Sequence, residues 1–441
     1  MKIFDKGFLS KYKSSIWRLS LTLTVLILYG FLTNNWWYGD DPEIIVFALK
    51  HSPSDYLLNP KSWQSFSPFN LTPWILLSLK ADISFSGFNP KGLYLHQILS
   101  LFIVTLALFS VFNLYANKKI FAFIGVLIFL LTPSTLSVAS WLSTRHYLEG
   151  IGFSLFSIYF FVKGLRSDKF ILICISALGY IFGALSKEVY VPLPFLLILL
   201  PEKTLKDRLK HSIPLVSVSV LYVLYRIWML GDNPVGGYSS IWPWTFSSAL
   251  LNSPDVFRLY TGSWWVFFLV SITIVWSIQY VNGWKSTGKE VLRYIFIFVL
   301  FYLPILPVSS FLSGGESLRY LLVTSTVITS FYVFSLNSIW EKGGKVHKIL
   351  AVASLVIIVT GFYYAFKEQK NIWDTKKTEA SAEGKFFLNN LGGTDVVFRI
   401  NQPHWFFDGL EKMKAEELEK KIERKIKLVY GEFYGFNKEN G

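Results

Sequence analysis

Trp36-Trp37-Tyr38-Gly39-Asp40-Asp41-Pro42-Glu43 follows directly on the first long apolar run of the chain, residues 16–32. An aromatic girdle and then an acidic pair, at the end of an apolar segment, mark the point where a membrane span meets water. A carboxylate held at that depth is costly unless it is used in chemistry or only starts a helix. The first run carries no small-residue cleavage site after it, so it reads as a retained span rather than a removed leader.

The rest of the 441-residue chain agrees with a membrane setting. It is 52% hydrophobic and 18% aromatic, with 40 Phe, 16 Trp and a mean hydropathy of +0.41. The formal charge of +14 would suit nucleic acid, but the basic residues fall in short loops between apolar runs and form no stripe on a soluble face, which is the pattern of membrane topology. The single cysteine, Cys174, lies inside an apolar run. It excludes an intramolecular disulfide and a cysteine-cluster metal site.

Eleven apolar runs follow one another, near 16–32, 93–115, 120–134, 146–162, 170–185, 189–200, 213–230, 264–280, 291–308, 320–336 and 349–366. The expected fold is therefore an all-α polytopic membrane protein with about eleven transmembrane helices. Lys2, Lys6, Lys11 and Lys13 precede the first run and Arg18 lies at its start, and every second loop thereafter is basic. That alternation predicts an N-terminus inside and a C-terminus outside. Residues 33–92 form a long first outer loop within a membrane domain of residues 1–366. An amphipathic stretch around 73–81 of this loop suits the interface. Residues 367–441 are read as a small extracytoplasmic α+β tail, with a strand at 395–400 and a charged helix at 415–429.

Chemistry is concentrated on the expected outer face. Asp41, just before Pro42, has the sequence of a helix N-cap. That duty leaves Asp40 as the favoured member of the candidate catalytic pair. Arg145 and Glu149 share a helix face at i, i+4, and Arg145 or His146 is a candidate to face a substrate group. Ser186-Lys187-Glu188 separates two short runs, as a solvated turn or as a contact for an anionic head group. Arg226 lies inside the seventh run, where an ionisable group implies a partner or a water-filled cavity, or snorkels to the interface. Pro307-Val308-Ser309-Ser310-Phe311 and Gly314-Gly315-Glu316-Ser317-Leu318-Arg319-Tyr320 combine Gly-rich backbone with an arginine that suits a phosphate oxygen. No zinc-ligand spacing, P-loop or Gly-x-Ser-x-Gly elbow is present. No dedicated metal site is expected, although a divalent ion held across loops by Asp40 with Glu149 or Glu188 stays open.

In order, Tyr38-Gly39-Asp40-Asp41, Asn89-Pro90-Lys91-Gly92-Leu93-Tyr94-Leu95-His96, Leu185-Ser186-Lys187-Glu188 with Val191-Pro192-Leu193-Pro194, and Leu306-Pro307-Val308-Ser309-Ser310 with Leu318-Arg319-Tyr320-Leu321 resemble segments of the GT-C integral-membrane glycosyltransferases. The protein O-mannosyltransferase-like and TMTC-like branch is the most similar, and the likeness covers about residues 23–373. The resemblance implies a GT-C fold, a polyprenyl-phosphate-linked sugar donor and inversion at the anomeric carbon. Leu318 stands where that branch often has Glu, and the TPR array of the TMTC proteins is absent.

The residues fit that chemistry on their own terms. Inverting transfer needs one base on the acceptor, here Asp40 or Asp41, with no second acid. A lipid phosphate leaves as an anion and needs cations, which Lys187, Arg226 and Arg319 offer. The substrate-binding candidates are thus Arg145, His146, Glu149, Lys187, Glu188, Arg226, Arg319 and Tyr320. The acceptor is a glycan, a lipid or a protein, and no cofactor is implied. The expected setting is a bacterial cytoplasmic membrane with the site facing outward. A transporter or flippase for an anionic lipid is the competing class, disfavoured because the charges gather at span ends rather than at the midplane. A non-catalytic scaffold is a third.

Overall fold

The structure, a computed structural model, describes residues 6–231, 260, 264–306, 315–389 and 402–422. Among the described residues all regular structure is helical. The chain opens with α1 (Lys6–Tyr29) and then lays down four short helices over the first loop: α2 (Asp41–Lys50), α3 (Pro53–Leu58), α4 (Pro60–Phe66) and α5 (Pro73–Ser86). Each has proline in its first turn, where the fixed φ suits a helix start and the missing N–H is no loss. The 52–55 segment adds a capping box, in which Ser52 and Asp55 satisfy each other's backbone.

The bundle continues with α6 (Pro90–Tyr115), α7 (Lys119–Leu131), α8 (Pro133–Ser140), α9 (Arg145–Ser167), α10 (Phe170–Ser186), α11 (Leu193–Leu199) and α12 (Leu205–Leu230). It ends with α13 (Trp264–Asn282), α14 (Trp284–Tyr302), α15 (Leu322–Lys342), α16 (Lys345–Asn389) and α17 (His404–Ile422). All eleven apolar runs lie at least partly on helices. Among the described residues, six helices are long and apolar enough to cross a membrane, or seven if the bent pair α7–α8 counts as one span. The expected count of eleven is not reached by that measure, for identifiable reasons. At 1.5 Å per residue α11 is only about 10 Å long, well short of a hydrocarbon core of about 30 Å. The first half of α14 carries Lys285, Lys289, Glu290 and Arg293.

The run expected at 120–134 is broken. Pro133 cannot continue the α7 hydrogen-bond ladder, and α8 leaves at 60° to α7. Thr132 caps the new helix by accepting from Thr135 N–H at 3.3 Å. Every residue of α8 is buried. Through Ser137, whose hydroxyl donates to Gly315 O at 2.9 Å, it supports the 3-10 turn Gly315–Leu321.

The boundary expected at 366/367 falls within α16, which runs unbroken for 45 residues. The apolar part passes without a joint into a polar part, since nothing between Ala365 and Lys376 is a helix breaker. The polar end then packs back on the first loop. α17 lies against α2, so closely at Gly409 that a Cβ there would stand 2.6 Å from Glu43 N. The strand expected at 395–400 lies outside the described residues. The helix expected at 415–429 is met in part, by the last turns of α17.

Candidate active site

The acidic pair sits in a tight turn that leads into α2. Asp41 N–H donates to Tyr38 O at 3.1 Å, and Gly39 between them has φ +54°. A side chain there would be strained, and its Cβ would meet the Trp141 ring at 3.1 Å. The turn sends the two carboxylates in different directions. Asp41 is 1% exposed and accepts from Ser143 N–H at 2.8 Å, Ser143 Oγ–H at 2.6 Å and Tyr38 N–H at 3.0 Å. Lys377 Nζ stands 4.0 Å away. The expected N-cap role of Asp41 is therefore corrected: it is the first residue of α2, and its side chain is a buried anchor between loops. Asp40 occupies the cap position, yet its side chain makes no capping bond. It accepts instead from Trp405 Nε1–H at 2.9 Å.

Burial pushes both carboxyls above the ordinary aspartate range. At Asp40 this is opposed by the Trp405 hydrogen bond and by the charge of Arg319, and reinforced by Glu316. At Asp41 it is opposed first by Lys377 and then by the Ser143 and Tyr38 donors. Burial, with Glu316 next, also holds the Tyr38 phenol in its neutral form.

Arg319 faces Asp40 from the 3-10 turn Gly315–Leu321. Its guanidinium lies 4.8 Å from the Trp141 ring centre and 4.6 Å from that of Tyr320. It donates to Glu316 O at 3.0 Å and to the Tyr320 hydroxyl at 3.1 Å. The Leu318 departure noted in the sequence thus leaves Arg319 held by rings and by backbone. Leu318 itself is buried. The Glu316 carboxylate accepts from Lys376 Nζ at 2.7 Å and from the Tyr38 hydroxyl. Residues 307–314, which include the expected Pro-Val-Ser segment and Gly314, lie outside the described residues.

The cationic group of the 186–188 segment joins the same face. Lys187 is buried, donates to Asn70 Oδ1 at 3.1 Å and pairs with Glu188 at 3.4 Å. Arg226 meets the other oxygen of Glu188, also at 3.4 Å. Glu188 is thus the counter-charge of two cations, which explains an ionisable residue inside the seventh run. Tyr147 links the groups, with Lys187 5.6 Å over its ring and Tyr320 edge-on at 6.0 Å. The neighbouring His146 ring packs on Tyr147 at 4.6 Å, within electrostatic reach of both Lys187 and Arg319. Asp40, Arg319, Tyr320, His146, Lys187, Glu188 and Arg226 therefore form one continuous patch.

Arg145 and Glu149 stand apart from it. Arg145 is fully enclosed and pairs with Asp82 of α5, not with Glu149 one turn away. It donates further to Gln97 Oε1 at 3.0 Å and to Leu93 O at 2.7 Å. Glu149 accepts from Trp74 Nε1–H at 2.7 Å and Ser78 Oγ–H at 3.0 Å. His96 bridges the two acids, at 2.6 Å from Asp82 and 3.4 Å from Glu149. This network ties α5, α6 and α9 together. It leaves Arg145 no open face toward the patch.

Sequence reasoning missed Ser143, Lys376, Lys377 and Trp405. The last three come from the tail that had been set apart as a separate region. A signal existed for two of them, because the helical composition of 349–366 continues through Lys376 and Lys377 without Gly or Pro. Among the described residues, no group of three His, Cys, Asp or Glu side chains is arranged to hold a metal ion.

No protein-family profile matches the chain, and no curated protein does. Solved structures do. The oligosaccharyltransferase of Archaeoglobus fulgidus, in complex with zinc and sulfate, is similar over 86% of this chain and 56% of its own, at 12% identity and a TM-score of 0.50. The same enzyme tethered by a disulfide to an acceptor peptide with an NVT sequon matches over 98% and 61%, at 12% identity and a TM-score of 0.45. At that identity the first likeness speaks to the fold alone, and it does not reach the O-mannosyltransferase-like branch. The chain spans little more than half the length of the protein it matches, and what it shares with that oligosaccharyltransferase is the fold.

Proposed function

We propose that this chain is a membrane glycosyltransferase that moves a sugar from a polyprenyl-phosphate-linked donor to an acceptor hydroxyl or amide, with inversion and with Asp40 as the base. One observation carries the reading. Of the carboxylates around the patch, Glu188 and Glu316 are ion-paired and Asp41 is saturated by three donors and Lys377. Asp40 holds only a neutral indole N–H and keeps part of its surface open. Among these four described carboxylates, Asp40 has the most capacity to accept a proton.

The charge of Arg319 reaches Asp40, and those of Arg319 and Lys187 both reach His146. In the proposed reaction Asp40 takes the acceptor proton as the acceptor atom attacks C1 of the sugar. The C1–O bond to the lipid phosphate breaks, and its electron pair stays on the phosphate. Arg319 and Lys187 stabilise that charge where it develops. Burial raises the Asp40 pKa toward working pH, which is what a general base requires.

The similarity of the motifs to the O-mannosyltransferase-like branch supports the single-sugar donor, and the basic loops support a site on the outer face of the membrane, which we take to be a bacterial cytoplasmic membrane. Side-chain cations in place of a divalent ion make the reaction metal-independent, so activity should persist in excess EDTA. The test is transfer by purified protein from a panel of polyprenyl-phosphate sugars to a membrane extract. Wild type should label an acceptor and Asp40→Asn should not. Translocation of a lipid-linked anion without any transfer, equal in both proteins, would replace the enzyme reading with a transporter.

A further inference from the structure

A cavity of about 420 Å³ opens between α6, α9, α11, α14 and α15, with Tyr190 and Val323 at the end nearer the Asp40 patch. Its lining on α15 runs from Val323 to Lys342, about 29 Å at 1.5 Å per residue. That is close to the full hydrocarbon thickness of a bilayer. Most of the wall is aliphatic or aromatic. Its polar groups gather at the end remote from Asp40, where α14 begins and α15 finishes.

Two of these groups are more than nine-tenths buried and find no hydrogen-bond partner among the described residues: Thr287 Oγ1 and the amide oxygen of Asn337. Leaving such atoms unpaired costs about 1–3 kcal/mol each, so a polar group that bonds to them is favoured there. Beside them Glu290 and Arg293, one turn apart on α14, line the same end with no ion-pair partner among the described residues. Glu341, paired with Lys118 at 3.5 Å, and Lys342, which donates to Asn282 Oδ1 at 2.9 Å, complete the rim. The two left without such a partner, Glu290 and Arg293, are one acid and one base, which suits a head group that carries both charges.

We propose that this cavity is a site for a zwitterionic aminophospholipid, one acyl chain filling the apolar wall and the head group lying at the Glu290–Arg293 end. The ammonium N–H groups donate to Asn337 Oδ1 and the Glu290 carboxylate. The phosphodiester accepts from Arg293 and the Thr287 hydroxyl. A choline head group has no N–H to give Asn337, so the site separates two lipids of equal charge. The head group lies at the end of the cavity remote from the transfer patch, and the occupant is independent of the proposed donor.

The experiment is retention of lipid by the full-length protein reconstituted in nanodiscs of equal parts dioleoyl-phosphatidylethanolamine and dioleoyl-phosphatidylcholine, read by native mass spectrometry. Wild type should retain the ethanolamine lipid over the choline lipid by at least roughly tenfold, the factor expected for one charge-assisted hydrogen bond. Asn337→Leu should erase the preference, and so should Glu290→Gln, a half-exposed position where folding is not at stake. Asp40→Asn should keep it. Equal retention of the two lipids by wild type would overturn the proposal, as would a preference that survives both substitutions. Displacement of the phospholipid by added polyprenyl phosphate would also overturn it, and would assign the cavity to the donor chain.

Discussion

Replacing each aspartate of the pair by asparagine should separate chemistry from architecture. Asp41 takes three hydrogen bonds, two of them from the backbone N–H groups of Ser143 and Tyr38, which cannot reorient. Asparagine has one acceptor oxygen, so one of these N–H groups would face an NH₂. A hydrogen bond to a charged group is worth about 1.5–3 kcal/mol. The substitution also strips the counter-charge from buried Lys377, a loss that reaches about 3–5 kcal/mol for a close pair and less at the 4.0 Å seen here. Asp41→Asn should thus destabilise the protein by on the order of 3 kcal/mol. Asp40→Asn is different in kind. Trp405 N–H still finds an amide oxygen, so the structural cost should stay below about 1 kcal/mol. Removal of a general base should slow transfer by about 10²–10⁴-fold. Thermal unfolding in detergent and initial transfer rates read the two effects separately. A stable, inactive Asp41→Asn beside an active Asp40→Asn would show that the buried anchor is the base and refute the assignment.

Three further outcomes follow from the same geometry. Because burial raises the Asp40 pKa and only the ionised form accepts a proton, the acid limb of the rate profile should lie above the range of an ordinary aspartate, about 3.9. Trp405→Phe removes a donor that favours the ionised form, so the limb should move to higher pH; a shift to lower pH would exclude Asp40 as its source. Arg319→Lys keeps the charge but loses two ring faces, each worth about 0.5–1 kcal/mol, and should restore little of the donor turnover lost in Arg319→Ala. Arg145→Leu should cost about 3–5 kcal/mol by orphaning a buried acid, and adding Asp82→Asn should recover part of it. Recovery by Glu149→Gln instead would restore the i, i+4 pairing expected from sequence.

The apolar runs were legible because hydrocarbon thickness imposes a length and a composition on each of them, and those are local properties. Which runs are long enough was less visible. The break at Pro133 and the charged start of α14 require the actual ends of helices, where sequence reading is weakest. The patch was legible in its acidic pair and in Lys187, Glu188, Arg226 and Arg319, since charges beside apolar runs stand out. Their pairing was not. Arg145 chooses Asp82, 63 positions away, over Glu149 on its own helix, because burial rewards the acid that lies in the same enclosed space. The duties of Asp40 and Asp41 came out differently for a similar reason. The capping rule sees only α2, whereas Ser143 and Lys377 reach Asp41 from distant parts of the chain.

The unbroken length of α16 sets a phase requirement on the protein. At about 1.5 Å per residue its 45 residues span about 68 Å, so Lys376 and Lys377 are carried to the Tyr38 turn on the same rigid rod that lies in the bundle. The angular position of those lysines is therefore fixed by the packing of residues many turns below. One alanine inserted after Phe366 would rotate them by about 100°, turning Lys377 away from Asp41 and Lys376 away from Glu316. Seven inserted residues would bring the rotation back to within about 20° yet lift the lysines by about 10 Å. Neither register restores the contacts. The separation between the bundle and the Asp40 turn is thus measured out by the helix itself, residue by residue.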